Sequence, residues 1–312
     1  MSAAKSANGA ASANGAASAN NATSASPGQL SSRQVASFVA NGYLRLDQVV
    51  PPELCAAALA ALSQGAGPEP WPPTPAPASD GFRDGPTPRV IETPARPHLE
   101  EAFPATKPLG QVLALPSIKG AIESLLGPQP FFDHHHAHVI PAGHAWAQGW
   151  HADAVWDPRT TAFDVQLMFF FHDTPRAMGG TMFLPGSHLR RVNEADIARY
   201  QNFRGQMAMA CSAGSVLLLH HGIWHCGQPN RSSAPRTMWK VRLGPRVPQR
   251  LTWDTADLRD PGIAAILSTD HGWYGHEARL EIVQRIRLWR AMTAQPTYDI
   301  DQWVTRFENV PV

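Results

Sequence analysis

The chain is short of lysine, of cysteine and of net charge, and each shortage removes a class of function. Only four of its 312 residues are Lys (Lys5, Lys107, Lys119, Lys240), and 26 basic against 25 acidic side chains leave a formal charge of +1. A nucleic-acid surface needs a clustered basic excess, and none is present. Three scattered Cys (Cys55, Cys211, Cys226) make neither a disulfide framework nor a CxxC zinc spacing. Unpaired thiols fit a reducing compartment. No apolar run approaches the ~18–20 residues that span a bilayer. The first residues lack the apolar stretch of a secretory signal, and the last four, Asn309 to Val312, are no peroxisomal address. The expectation is a soluble, cytoplasmic protein with a small-molecule substrate, no nucleic-acid or membrane partner, and an oligomeric state the sequence does not set.

Histidine is what the chain has in excess. There are 14, six of them between His134 and His151. Imidazole is the commonest metal ligand, so the bias is a reason to look for a metal site.

Residues 1–28 are almost all Ala, Ser, Asn and Gly, with nothing large to bury, and read as a disordered tail. The remainder, 29–312, reads as a single domain. Its N-terminal helices occupy 29–62: Ser31-Ser32-Arg33-Gln34 is a capping-box pattern ahead of Val35, Phe38 and Val39, Asn41-Gly42 stops that helix, and Pro51-Pro52-Glu53 starts another. Tyr43–Leu46 alternates like a short strand. A Pro-rich loop spans 63–98, as an active-site flap or a plain insertion. The next helix is at Pro116–Leu126, ended by Gly127-Pro128. From about 129 to 247 the chain reads as a core of strands: Phe131–Ile140, Gln148–Asp153, Asp164–Phe171, Gly180–Leu184, Ser215–His220 and Thr237–Leu243. That density predicts a barrel or sandwich. The extension 250–312 returns to helix, with Ala278, Ile282, Ile286 and Trp289 on one packing face. This extension and the 63–98 loop are expected to shape the pocket entrance.

The sharpest local signal is Trp150-His151-Ala152-Asp153. On a strand, residues i and i+2 point the same way, so His151 and Asp153 can grip one ion. His220, His221 and His225 compete for a third ligand position. Two His and a carboxylate with open positions form the facial triad of non-heme Fe(II) oxygenases.

A further pattern lies downstream of His225. In Cys226-Gly227-Gln228-Pro229-Asn230-Arg231-Ser232-Ser233-Ala234-Pro235-Arg236, the arginine lies eleven positions after His225. Here the sequence resembles the phytanoyl-CoA dioxygenase family of Fe(II)/2-oxoglutarate-dependent oxygenases, which shows HxD, a distal His, then Asn, Ser/Thr and Arg at these offsets. Asn41-Gly42-Tyr43-Leu44, Leu125-Leu126-Gly127 and the Gly179-Gly180…Pro185-Gly186-Ser187-His188 segment are similar to the same family, and the resemblance covers about residues 31–245.

The resemblance implies a mainly β fold with flanking helices around a double-stranded β-helix (jelly-roll, cupin-like) core. It implies Fe(II) on His151, Asp153 and His225, with 2-oxoglutarate and O2 as cosubstrates. The reaction it implies is hydroxylation, or a related oxidation, of an unactivated C–H bond, with 2-oxoglutarate converted to succinate and CO2. Arg236 then holds the far carboxylate of 2-oxoglutarate, which a guanidinium does bidentately. The family's Ser two places after the distal His is Gly227 here, so Thr181 or Ser232 is expected to supply that hydroxyl. The Asn of the family's turn is Gly179. Asp153 is retained, unlike in iron halogenases.

Around the triad, Gln148 is expected at the cosubstrate, and His136, Trp156 and Gln166 at the substrate pocket. His134, His136 and His138 share one strand face and read as pocket or core residues rather than a second metal site. His220 reads as a residue behind the ligands or a structural histidine, His188 as structural, and His172 as a strand-end residue. Trp146, Trp150 and Trp224 read as core. Two other readings stand beside the oxygenase: a cupin-type isomerase or hydrolase that does not use 2-oxoglutarate, and a non-catalytic small-molecule-binding relative. Only the oxygenase needs the carboxylate anchor at Arg236.

Overall fold

A computed structural model of the chain describes residues 27–67, 96–154, 160–190, 197–198 and 202–300. The low-complexity tail before Pro27, most of the 63–98 loop, Trp156 and the end of the C-terminal extension lie outside the described residues. The described chain begins two residues inside the segment read as tail, at Pro27. Gly28, at φ +84°, presses on the backbone of Pro116 so closely that no Cβ would fit, and Leu30 is buried.

The first helix, α1 (Ser32–Asn41), begins where Ser31 and Gln34 exchange capping hydrogen bonds and stops at the left-handed Gly42. It buries Val35, Phe38 and Val39. The chain then forms β1 (Tyr43–Leu46), α2 (Pro52–Ser63), the short helices α3 (Leu99–Ala102) and α4 (Pro108–Leu113), and α5 (Pro116–Leu126). α3 and α4 were not expected, because four and six residues are too few to show a helical period.

The strands are β2 (Phe131–Ile140), β3 (Val165–Phe170), β4 (Thr181–Phe183), β5 (Met207–Ala208), β6 (Ser215–His220), β7 (His225–Gly227) and β8 (Arg236–Gly244). They make two antiparallel sheets. One has five strands in the order β1-β6-β3-β8-β2, the other three in the order β5-β4-β7. The expected strand at Gln148–Asp153 is absent. Its place is taken by one antiparallel bridge between His151 and His225, after which the chain bends at Asp153.

β3 and β6 are buried along their whole length, which requires cover on both faces. On one face Val165, Leu167, Phe169, Val216, Leu218, Trp239, Val241 and Leu243 pack against the helices. On the other, Met168, Phe170, Leu217, Leu219 and Met238 pack against Phe183 of the smaller sheet and Met209 just after β5. The period of two therefore sorts every residue of the large sheet to a helical side or to the side where the two sheets meet.

The C-terminal extension adds α6 (Gly262–Leu267), against α1, and α7 (His276–Thr293). The inward face of α7 is not the expected apolar stripe. Ile286, Leu288, Trp289 and Met292 are buried, but Glu281 and Arg285 are buried with them, while Ala278 and Ile282 are only half-buried. The two charges lie one turn apart and pair, which lets a polar i, i+4 couple face inward. Arg285 also donates to the carbonyls of Leu267 (2.7 Å) and Thr269 (2.8 Å), and Glu281 accepts from His271 (2.7 Å). Among the described residues no helix is long and apolar enough to cross a membrane.

Removing Glu281 leaves a buried guanidinium unpaired. Glu281→Ala is expected to lower unfolding free energy by about 3–5 kcal/mol, read by denaturant titration.

Candidate functional site

The bridge between His151 and His225 brings the site together. His151 N donates to the carbonyl of His225 (3.0 Å) and His225 N to that of His151 (2.9 Å), which sets the two imidazoles side by side, 4.4 Å between ring centroids. Each ring is also held from behind. Nδ1 of His151 donates to the carbonyl of Gly149 (2.9 Å), and Nδ1 of His225 to that of Ile223 (3.0 Å). A carbonyl only accepts, so Nδ1 carries the proton in both rings and each Nε2 keeps its lone pair. The bend after His151 delivers Asp153, whose Oδ1 lies 3.5 Å from His151 Nε2 and 3.8 Å from His225 Nε2. The ligand-type atoms of the three residues all lie within 4.8 Å of one another, and no other such group of His, Cys, Asp or Glu occurs among the described residues.

Burial pushes His225 down to about 4, so its ring is neutral near pH 7 and its lone pair is available. Burial alone would raise Asp153. The two imidazoles beside it and the Lys240 ammonium on its second oxygen outweigh burial and hold the carboxyl well below its usual range. His220 and His221 stay out of the cluster. His220 faces the helical side, stacked on Phe163 at 5.0 Å, and His221 Nδ1 accepts from the backbone of Asp164 at 2.8 Å. His220 is thus a core histidine and not a residue behind the ligands.

A cavity of about 390 Å³ opens beside the three residues, walled among others by His138, Gln148, Thr181, Arg236, Met238 and Lys240. Arg236 is buried at its end. One edge of the guanidinium is spent on backbone carbonyls: Nη1 donates to Met178 (3.0 Å), Gln228 (3.2 Å) and Gly180 (3.4 Å). Burial disfavours its charge, and no carboxylate among the described residues pairs with it. Gly179 makes this seat possible. A Cβ there would stand 2.6 Å from Arg236 Nη1, and its φ of +97° suits glycine alone. Glycine at this turn is therefore set by its backbone conformation and by the Pro229 carbonyl as well as by the arginine.

Thr181 lies opposite Gly227 across β4 and β7 and lines the cavity, as does Gln148, whose Oε1 accepts from Gly227 N at 3.2 Å. Ser232 does not line it. Its hydroxyl donates to Asn230 Oδ1 (2.7 Å), while Asn230 Nδ2 donates to the carbonyls of Ala234 (2.7 Å) and Ile140 (3.3 Å). The Asn and Ser of the downstream motif thus brace the turn that feeds Arg236 into β8.

His134, His136 and His138 do share the face where the sheets meet, but the cavity-wall residue is His138, one pleat nearer the site than His136. Gln166 shares that face. It is fully buried, both ends of its amide lack a partner, and it is outside the cavity wall. Trp156 lies outside the described residues. Nothing described in the 250–300 extension lines the cavity, because that segment packs on α1 and behind the smaller sheet, where Trp273 meets Trp224. His172 Nε2 accepts from Thr237 N at 2.9 Å and pins a strand end.

Lys240 was missed. Its Nζ donates to Asp153 Oδ2 at 2.7 Å and lines the cavity. A signal was present: Arg236, Met238, Lys240 and Arg242 alternate along β8, so a strand that carries Arg236 inward carries Lys240 inward as well.

A family model described as phytanoyl-CoA dioxygenase (PhyH) matches residues 38–238. Among solved structures the chain is similar to the non-heme alpha ketoglutarate dependent carbocyclase SnoK from nogalamycin biosynthesis, with 19% identity over 69% of this chain and 84% of that one and a TM-score of 0.48. It is also similar to HygX from Streptomyces hygroscopicus with nickel and 2-oxoglutarate bound (14%, 74% and 94%, 0.49). A third is EvdO2 from Micromonospora carbonacea var. aurantiaca complexed with 2-oxoglutarate (17%, 73% and 98%, 0.45). Likeness at this level speaks to neither substrate nor reaction. No curated protein matches the chain significantly.

His188, behind the site, gives a pH signature. Its Nε2 donates to the carbonyl of Val39 at 3.1 Å, and burial, aided by the Arg285 charge, pushes it down to about 3. An unfolded histidine titrates near ~6.5. Between those values the unfolded chain binds a proton the folded one refuses, so this contribution is complete above about pH 6.5 and is lost as pH falls toward 3. His188→Asn is expected to flatten the acid limb of stability against pH, measured by urea melts at fixed pH.

Proposed function

The chain belongs to the phytanoyl-CoA dioxygenase family, and we propose that it is an Fe(II)/2-oxoglutarate-dependent oxygenase that hydroxylates a small organic substrate. In this reading residues 29–312 form one oxygenase domain around a double-stranded β-helix. The observation that carries the reading is the buried, carboxylate-free guanidinium of Arg236 at the end of the cavity that holds His151, Asp153 and His225. An unpaired buried charge is costly, and an anion in that cavity offsets the cost.

The side chains fit the implied groups. Two neutral imidazoles with free Nε2 atoms and one carboxylate oxygen suit Fe(II) and leave its remaining positions open. Arg236 has an edge free of backbone partners for the far carboxylate of 2-oxoglutarate, and Thr181, opposite Gly227 on β4, offers the cavity the hydroxyl that Gly227 lacks. When bound, Fe(II), 2-oxoglutarate and O2 supply an oxidant for an unactivated C–H bond, with release of succinate and CO2. The protein's own share is to fix both rings through their Nδ1 protons, to hold the cosubstrate in one orientation, and to keep water off the reacting region with Ile140, Met168 and Met238. His138 and Gln148 are further residues of the cavity wall.

Fe(II)-dependent release of succinate from 2-oxoglutarate under air tests the reading. Losing a charged bidentate hydrogen bond costs about 2–3 kcal/mol, so Arg236→Ala is expected to weaken 2-oxoglutarate binding by about 30-fold or more. Metal affinity should change little, and both are read by calorimetry. Metal binding with no 2-oxoglutarate binding in the parent protein would favour the cupin-type enzyme instead.

A further inference from the structure

The two oxygens of Asp153 have different surroundings. Oδ1 faces the Nε2 atoms of His151 and His225, at 3.5 and 3.8 Å, whereas Oδ2 is taken by Lys240 Nζ at 2.7 Å. Both side chains of this ion pair are largely out of water, 11% exposed for the lysine and 16% for the aspartate, so the contact is shielded as surface pairs are not. The lysine is itself well placed. On β8 it sits between Met168 of β3 and His136 of β2, with its stem along the face where the sheets meet. Two residues on, Arg242 donates to the backbone carbonyl of Asp153 (3.4 Å) and is fixed by Asp164 (2.9 Å). One strand thus holds both the side chain and the main chain of the aspartate.

We propose that Lys240 is a positioning residue that keeps Asp153 a one-oxygen ligand. The proposal rests on the reading of the triad as an Fe(II) site. A carboxylate free at both oxygens can bind an ion through one or both. The difference matters here because an octahedral ion has six positions. With Fe(II) and 2-oxoglutarate bound, His151, His225, one oxygen of Asp153 and the keto-acid end of the cosubstrate would take five of these and leave one open. A second carboxylate oxygen would fill it. By occupying Oδ2, the ammonium protects that last position, a role distinct from that of Arg236 at the cosubstrate.

The test uses the whole protein and two probes. With Co(II) alone, a crystal structure of the parent is expected to show one Asp153 oxygen at ligand distance and Lys240 Nζ still on Oδ2. Lys240→Met is expected to show both oxygens on Co(II), with Co(II) affinity equal or higher. With Fe(II) and 2-oxoglutarate bound, nitric oxide stands in for dioxygen and is followed by electron paramagnetic resonance. Its affinity should fall about tenfold or more in Lys240→Met, a loss of about 1.4 kcal/mol, and recover in Lys240→Arg. One-oxygen coordination and unchanged nitric oxide affinity in Lys240→Met would overturn the proposal. So would a parent Co(II) structure with the lysine off Asp153, which decides the matter even if Lys240→Met fails to fold. A parent protein that takes up no Co(II) overturns the metal-site reading itself, and is told apart by the absence of any metal signal.

Discussion

Two backbone hydrogen bonds, from His151 N to His225 O and from His225 N to His151 O, hold together segments 74 residues apart in the chain. His151, His225 and Asp153 are placed by that pair. It aligns the imidazoles, it lets the carbonyls of Gly149 and Ile223 set the same tautomer in both, and it starts the bend that swings Asp153 under them. The bridge lies beyond the edge of β7, so His151 in effect extends the smaller sheet. A regular strand at Gln148–Asp153 would pair on through Asp153. The single bridge leaves the aspartate free to turn toward Lys240.

The other half of the site comes from β8. Its inward residues alternate cation, methionine, cation, cation: Arg236, Met238, Lys240 and Arg242. Each cation has its own acceptor. Arg236 is seated on three carbonyls, Lys240 on the Asp153 carboxylate, and Arg242 on Asp164 and the Asp153 backbone. One strand therefore sets the spacing between the Arg236 guanidinium and the Asp153 carboxylate. The positions between, Thr237, Trp239, Val241 and Leu243, face the helices, with Trp239, Val241 and Leu243 in the core there, and lock the strand in register.

The helical layer makes that register rigid. Glu281, Arg285 and His271 form a buried polar knot that reaches Asn41 at the end of α1 through His271 Nε2 (3.0 Å). His188 bonds Val39 in the same helix. The described part of the C-terminal extension, up to residue 300, is therefore a clamp on the back of the sheets and does not line the cavity.

Much of this was legible in the residue order. The capped helix α1, the strands Phe131–Ile140 and Ser215–His220, and the nearness of His151 to Asp153 follow from local period, turn residues and motif spacing, which a linear chain displays directly, while His225 and Arg236 are picked out by the resemblance to the family. The rest depends on pairs far apart in sequence. That Lys240 meets Asp153, that Ser232 braces a turn while Thr181 reaches the cavity, that His138 rather than His136 stands at its wall, and that α7 buries an ion pair could be decided only by tertiary structure. Pleat and helix period say which way a side chain points, but what it meets depends on which strand or helix packs opposite, and that is a property of the folded chain.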